Sequence, residues 1–239
     1  MPVYLWQLIL ASYLLGSVPA AYIAANRSKG IDLREHGSGN VGASNLMRFT
    51  SRRMAIPVVV FDFIKGCAIL LLAERLGFSL GSQMLVGIAA VCGHNWPIFL
   101  RFKGGRGIIT TAAVVFSAAS ANALSSWGNI AIIVIALTAV VWVSVLLKRG
   151  PTGVLVGVAS IPLLAWILNA PLPFVLGCLG LFGIFVVRRL TAPQPVTVDS
   201  MNRRRVLINR LLFDCDVADK EAWVVLVEKQ ECKRMTTTD

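Results

Sequence analysis

Two short stretches of this chain carry residue types suited to gripping phosphate. The first, Gly37-Ser38-Gly39-Asn40-Val41-Gly42 followed by Ser44, Asn45 and Arg48, interleaves glycines with hydroxyl, amide and guanidinium groups. Glycines let backbone N–H groups approach a ligand closely and form anion-binding concavities, and the polar side chains add donors. The second, Lys103-Gly104-Gly105-Arg106-Gly107, runs straight into an apolar stretch opening at Ile108. A glycine-rich basic turn at a helix start brings together backbone N–H groups, the positive end of a helix dipole and fixed cations. It is not a P-loop, because G-K-[ST] is absent. Blander readings stand beside both. Gly, Asn and Ser are ordinary turn formers, and Arg101, Lys103 and Arg106 could act only as topology determinants, which explains the charges but not the glycines beside them.

The first stretch also spells G-x-G-x-x-G, with Asp62 at the distance where a dinucleotide fold places its ribose ligand. That fold needs a strand before the turn and a parallel sheet around it. Here a membrane-length apolar run precedes the turn and Asp62 lies inside another, so the nucleotide reading is set aside. Asp62 and Lys65, three residues apart in "FDFIKG", fall on one helical face and can pair, which lowers the cost of holding either charge in a membrane. An internal brace and a catalytic role are both open to them. His94 could be a general acid or base, or a buried histidine bonded to a backbone carbonyl.

The elements that must position these groups follow from composition. With 239 residues, 56% hydrophobic, 15% charged and a mean hydropathy of +0.72, the chain is far from a soluble domain, whose charged share is about 25%. The net charge of +11 arises from basic residues clustered between apolar runs, an arrangement that suits anionic headgroups or anionic substrates. No basic amphipathic or aromatic-interleaved module is present, so nucleic acid is not an expected partner. The odd number of cysteines, without C-x-x-C spacing, supports neither a disulfide framework nor a zinc site.

Seven runs approach the roughly 17–25 residues that cross a hydrocarbon core: Val3–Ala24, Met54–Ala73, Met84–Leu100, Ile108–Leu124, Ile130–Leu147, Gly153–Leu168 and Pro171–Val187. The first does not read as a cleaved signal peptide, since its charges Arg27 and Lys29 follow it. Lys and Arg crowd the first, third and fifth loops and the end of the seventh run, at Arg188 and Arg189, whereas the other loops together hold only Arg75. The positive-inside rule then predicts an all-α integral membrane protein of seven transmembrane helices, N-terminus outside and C-terminus cytoplasmic. Residues 1–190 form the membrane domain with both glycine-rich loops on its cytoplasmic face, and 191–239 form a cytoplasmic C-terminal tail.

The motifs "YLLGSVPAAYI", "KGIDLREHGSGNVGASNLMR", "DFIKG" and "GHNWPIFLRFKGGRGIITTA", in this order across residues 12–115, resemble the bacterial acyl-phosphate-dependent glycerol-3-phosphate acyltransferases, the PlsY family. The resemblance implies a seven-helix, multi-pass protein of the cell inner membrane with three cytoplasmic motifs around one site. It implies transfer of a fatty acyl group from acyl phosphate to the 1-hydroxyl of glycerol 3-phosphate, giving lysophosphatidate in phospholipid synthesis, with no metal and no other cofactor. Carried over motif by motif, Ser38, Arg48, His94 and Arg106 are the expected catalytic residues. Gly37, Gly39, Asn40, Asn45, Lys103, Gly104, Gly105, Gly107 and Arg204 are the expected substrate-binding residues. The implied partners are acyl phosphate, glycerol 3-phosphate and membrane lipid, with oligomeric state left open.

Two departures from the family pattern stand out. Arg106 occupies the lysine of G-G-K-G, exchanging a compact ammonium for a planar fork. The third motif, near His-x-x-Asn-x-x-Arg-Leu-Leu, aligns on Arg210-Leu211-Leu212 with Arg204 in place of the histidine and Leu207 in place of the asparagine. Either another group such as Arg203, Arg205 or Asn209 substitutes, or the chain is a divergent paralogue that binds phosphate or lipid-phosphate ligands with altered or no catalysis.

Overall fold

The computed structural model of this chain describes residues 4–121, 150–191 and 203–216, and every regular element among them is helical. Helices α1 (Leu5–Gly16) and α2 (Ala20–Lys29) form one membrane-length segment interrupted at Ser17-Val18-Pro19. Pro19 has no N–H for the helical ladder. The Ala20 N–H bonds Val18 O rather than Gly16 O, which leaves the Gly16 carbonyl open to another partner. α2 stops at Gly30, whose φ of 67° is a left-handed cap that glycine adopts without strain.

A seven-residue helix, α3 (Ala43–Phe49), follows loop one. α4 (Arg52–Arg75) starts at Ser51 and α5 (Leu80–Asn95) at Ser79, each serine oxygen accepting a first-turn N–H. A short 3-10 turn at Ile98–Leu100 leads to loop two and then α6 (Ile108–Ala121). α7 (Gly150–Ile167), α8 (Leu172–Thr191) and α9 (Arg203–Phe213) complete the described elements.

α5 is the hub, packed against α1, α4, α6 and α8. Its contact with α1 is backbone on backbone: a Cβ on Gly93 would lie 2.1 Å from Tyr13 O, and one on Gly16 would lie 2.2 Å from Ala90 O. Small residues at such crossings let helices approach closely, which matters in lipid, where burying apolar surface between helices gains little over leaving it among acyl tails. Cross-helix bonds from Ser12 Oγ to Val86 O (2.6 Å) and Tyr13 OH to Trp96 O (2.8 Å) reinforce the pair. Trp6, Leu10, Ile56, Ile64, Leu163 and Trp166 are exposed on the outer faces, which suits lipid as the surrounding solvent.

Among the described residues, five helical segments are long and apolar enough to cross a membrane: Leu5–Lys29, Arg52–Arg75, Leu80–Leu100, Gly150–Ile167 and Leu172–Thr191. They match the expected first, second, third, sixth and seventh runs, extended into polar ends that hydropathy alone trims. The fourth run forms α6, which is apolar but shorter in its described part. The fifth, Ile130–Leu147, lies outside the described residues.

Candidate active site

Loop one, between α2 and α3, is built around two polar clasps. The Asp32 carboxylate accepts from the Arg34 N–H (2.9 Å) and from its Nε (3.0 Å), and the guanidinium lies over the Tyr22 ring. That hydrogen-bonded guanidinium holds the Asp32 carboxyl below its ordinary range. Asn45, fully buried on α3, accepts from the Ser38 N–H (3.2 Å) and donates to His36 O (2.9 Å) and Leu33 O (3.3 Å). Gly37 must be glycine: its φ is 60°, and a Cβ there would sit 2.6 Å from Asn45 Oδ1. Ser38, Gly39 and Asn40 are half-buried at the tip of this turn, while Ser44 and Arg48, one helical turn apart, share the exposed side of α3.

Loop two is entered through a strained reversal. Arg101 and Phe102 have consecutive positive φ angles of 53° and 62°, a conformation that holds about 1–3 kcal/mol per non-glycine residue. The chain then leaves Lys103 exposed and returns Gly104–Gly107 beneath the end of α5. The Gly105 N–H donates to His94 O (3.0 Å), and the Val41 N–H donates to Gly104 O (3.4 Å), so the two loops meet backbone to backbone. A Cβ on Gly105 would lie 2.1 Å from His94 Nε2, which explains why no side chain fits there. Behind the loop, buried Arg188 from α8 donates Nε to Gly105 O (2.8 Å) and Nη2 to Gly104 O (2.7 Å).

Beneath both loops lies the pair expected from "FDFIKG". Lys65 Nζ is 2.8 Å from Asp62 Oδ1, with both residues buried. The ammonium also donates to Gly16 O (3.1 Å), the carbonyl freed by the α1–α2 break, and sits 2.9 Å from His94 Nδ1. A recess above them is lined by the break, Val41, Asp62, His94, Pro97, Gly104 and Gly105. It therefore touches both glycine loops, the buried ion pair and the interrupted helix.

A sequence model of glycerol-3-phosphate acyltransferases matches residues 6–194. The chain belongs to the glycerol-3-phosphate acyltransferase family. It is 36% identical over 221 residues to glycerol-3-phosphate acyltransferase 5 of Dehalococcoides mccartyi, covering 90% of each chain. It is 37% identical over 229 residues to glycerol-3-phosphate acyltransferase 4 of strain CBDB1 of that organism, covering 93% of this chain and 94% of the relative. The fold resembles a crystal structure of PlsY, an integral membrane glycerol 3-phosphate acyltransferase, in its glycerol 3-phosphate form, with a TM-score of 0.68 and 26% identity over 77% of this chain and 88% of that one. This protein is accordingly a multi-pass membrane acyltransferase of phospholipid synthesis, and the alternative of a non-catalytic phosphate binder is not favoured.

Set against the family pattern, the divergent third motif takes a definite shape. Arg204 and Leu207, at the histidine and asparagine positions, are both exposed on α9. Buried Asn209 donates to Asp216 O (2.8 Å), and Arg210 pairs with the Asp216 carboxylate, so both bind the helix to its own following turn. It is Asp214, with φ of 61°, that reaches the second loop, accepting from Arg106 Nε at 2.6 Å. Thus Arg106, expected as a catalytic cation, arrives already paired with a carboxylate, and Asn45, expected as a ligand, spends both ends of its amide inside loop one. Sequence reasoning also missed Arg188 and Arg189. They count as positive-inside charges in a hydropathy reading, yet both are buried, and Arg189 donates to Leu211 O and Pro151 O. Two adjacent arginines still inside the helical register were the available signal.

Proposed function

We propose that this acyltransferase moves a fatty acyl group from acyl phosphate to the 1-hydroxyl of glycerol 3-phosphate, releasing lysophosphatidate and inorganic phosphate at the cytoplasmic face of the cell inner membrane. The observation that carries the reading is the backbone contact between the two glycine loops at Val41 and Gly104, beside His94. It brings two anion-binding turns to one recess, as a reaction between two phosphate-bearing substrates needs. The PlsY relative in its glycerol 3-phosphate form supports the acceptor.

An acyl phosphate is a mixed anhydride and is already activated, so the reaction balances without a cofactor. The glycerol oxygen forms a bond to the acyl carbon, and the bond from that carbon to the bridging oxygen breaks. Phosphate leaves with the electron pair, and the hydroxyl proton passes to a phosphate oxygen of the acceptor. Catalysis then rests on positioning and on neutralising the charge that develops on the acyl oxygen. Ser38, Asn40 and the exposed guanidinium of Arg48, in a frame fixed by Gly37, Gly39 and Asn45, hold one phosphate. His94, the exposed Lys103 and the Gly104–Gly107 backbone hold the other anion, while Arg106 and Asp214 set the loop's shape.

The same reading keeps seven spans with the N-terminus outside, a membrane domain over 1–190 and a cytoplasmic tail over 191–239. Part of that tail, α9, packs on α7 and α8, and Asp214 just after it reaches loop two, which suits a third contribution to the site from the cytoplasmic side. Complementation tests the proposal: a bacterial strain lacking its acyl-phosphate acyltransferase should grow when this chain is expressed. Failure to grow with the protein demonstrably in the membrane would count against it.

A further inference from the structure

Lys65 satisfies a complete hydrogen-bond inventory inside the membrane domain. A protonated lysine has three N–H donors and no acceptor. Three groups surround Nζ: Asp62 Oδ1 at 2.8 Å, Gly16 O at 3.1 Å and His94 Nδ1 at 2.9 Å. The carboxylate and the carbonyl can only accept. The buried Asp62 carboxylate requires a counter-charge, and Lys65 at contact distance supplies it. With the ammonium so fixed, its third hydrogen points at the ring nitrogen. A proton on His94 Nδ1 would face that hydrogen head on, so Nδ1 must be the acceptor.

A second pairing competes with this one. Asp62 Oδ1 also lies near His94 Nδ1, as in a carboxylate–histidine dyad that would hold the proton on Nδ1 and leave Nε2 free to act as a base. The distances decide between them: the carboxylate is 3.5 Å away, at the edge of hydrogen bonding, whereas the ammonium is 2.9 Å away.

We infer that Lys65 is a positioning residue that fixes His94 as the Nε2–H tautomer, making the imidazole a hydrogen-bond donor to the substrate anion and not the base that takes the hydroxyl proton. His94 Nε2 lies beside Gly105, 2.1 Å from where a Cβ on that residue would fall, at the recess that both residues line. A donor there meets a phosphate or acyl oxygen. With Nδ1 engaged by Lys65 and Nε2 already protonated, the ring has no lone pair for a substrate proton, which agrees with transfer to the substrate's own phosphate. Two features not assigned by the glycine motifs thereby gain a purpose: the helix break at Pro19, which frees Gly16 O, and the charged pair buried in α4.

The inference rests on the proposed role of His94 at the anion site, and its test separates the two. The chain has only two histidines, His36 and His94, so ring nitrogens can be assigned by comparison with His36→Gln. Protein labelled with 15N-histidine in lipid nanodiscs at neutral pH is expected to show His94 with a protonated Nε2 and an unprotonated Nδ1. A protonated Nδ1, alone or in an imidazolium, would overturn the inference without use of any variant. Asp62→Asn keeps the Lys65 donor and should keep that tautomer. Lys65→Met removes it and should shift the proton to Nδ1, facing Asp62. A tautomer that changes in Asp62→Asn and stays fixed in Lys65→Met would overturn the assignment to lysine. The fixed Nε2–H tautomer without acyl transfer from acyl phosphate would leave the inference standing and defeat the functional reading; transfer with a protonated Nδ1 would do the reverse.

Discussion

Replacing Arg188 by methionine removes the strut behind loop two while keeping most of its packing volume. Arg188 is 3% exposed and donates to Gly104 O at 2.7 Å and Gly105 O at 2.8 Å. Hydrogen bonds from a charged donor contribute about 1.5–3 kcal/mol each, so the gross loss is about 3–6 kcal/mol. Methionine also removes the penalty of burying a guanidinium, which offsets part of that loss and leaves about 2–4 kcal/mol. Gly104 O retains the 3.4 Å contact from the Val41 N–H, whereas Gly105 O loses the donor that Arg188 supplies. The two carbonyls belong to the loop that lines the proposed anion site, so the strain should reach catalysis as well as folding. If 1.4 kcal/mol of it appears as misplacement of the loop, kcat/KM falls about tenfold. Phosphate release from acyl phosphate, measured with thermal unfolding on detergent-solubilised protein, reads both parts. Arg188→Lys, which keeps the charge but not the two-pronged geometry, should fall between wild type and Arg188→Met. A methionine variant with kcat/KM and melting temperature both unchanged would refute the strut.

Asp214→Ala should destabilise the protein about 1–2 kcal/mol more than Asp214→Gly, measured by denaturation, because both lose the Arg106 partner while only glycine relaxes the φ of 61°. Asn45→Ala should lower the melting temperature, since it strips the Ser38 N–H, Leu33 O and His36 O of a buried partner. Arg48→Ala, at an exposed position, should leave stability within about 0.5 kcal/mol while lowering turnover at least tenfold, as steady-state kinetics would record. Because Arg34 depresses the folded Asp32 carboxyl, its contribution is present above the unfolded carboxylate range, near about pH 4, and is lost as pH falls through the folded value. The half-buried, solvent-screened pair should contribute under about 1 kcal/mol, and Asp32→Asn should remove that acid-side slope from the stability profile.

What could be read from the sequence was local. Both loops and the Asp62–Lys65 pair depend on residues close together in the chain, and helical spacing alone places Asp62 beside Lys65. The destinations of polar groups were less legible, because hydrogen-bonding capacity does not say which way a side chain faces. Asn45 has the same donors and acceptor whether it grips substrate or, as here, closes its own loop. Arg188 and Arg189 read as topology charges because hydropathy treats every arginine near a helix end as solvated, yet both are buried. The break in the first span was signalled by Pro19, but the use made of it, a carbonyl offered to a lysine 49 positions away, depends on how α1 and α4 pack. The third motif misled in another way. Aligned positions Arg204 and Leu207 drew attention, while the contact with loop two comes from Asp214, in a backbone conformation that sequence patterns do not reveal.

On the proposed function, the two glycine loops form one site for acyl transfer between two phosphate-bearing substrates. Purified protein in nanodiscs, supplied with a long-chain acyl phosphate and glycerol 3-phosphate, tests it directly. Lysophosphatidate and inorganic phosphate should form in equal amounts, with production lost in Arg48→Ala and in Gly105→Ala, whose Cβ would meet His94. Folded wild-type protein that forms no lysophosphatidate from any acyl-chain length, or variants that turn over at the wild-type rate, would contradict it.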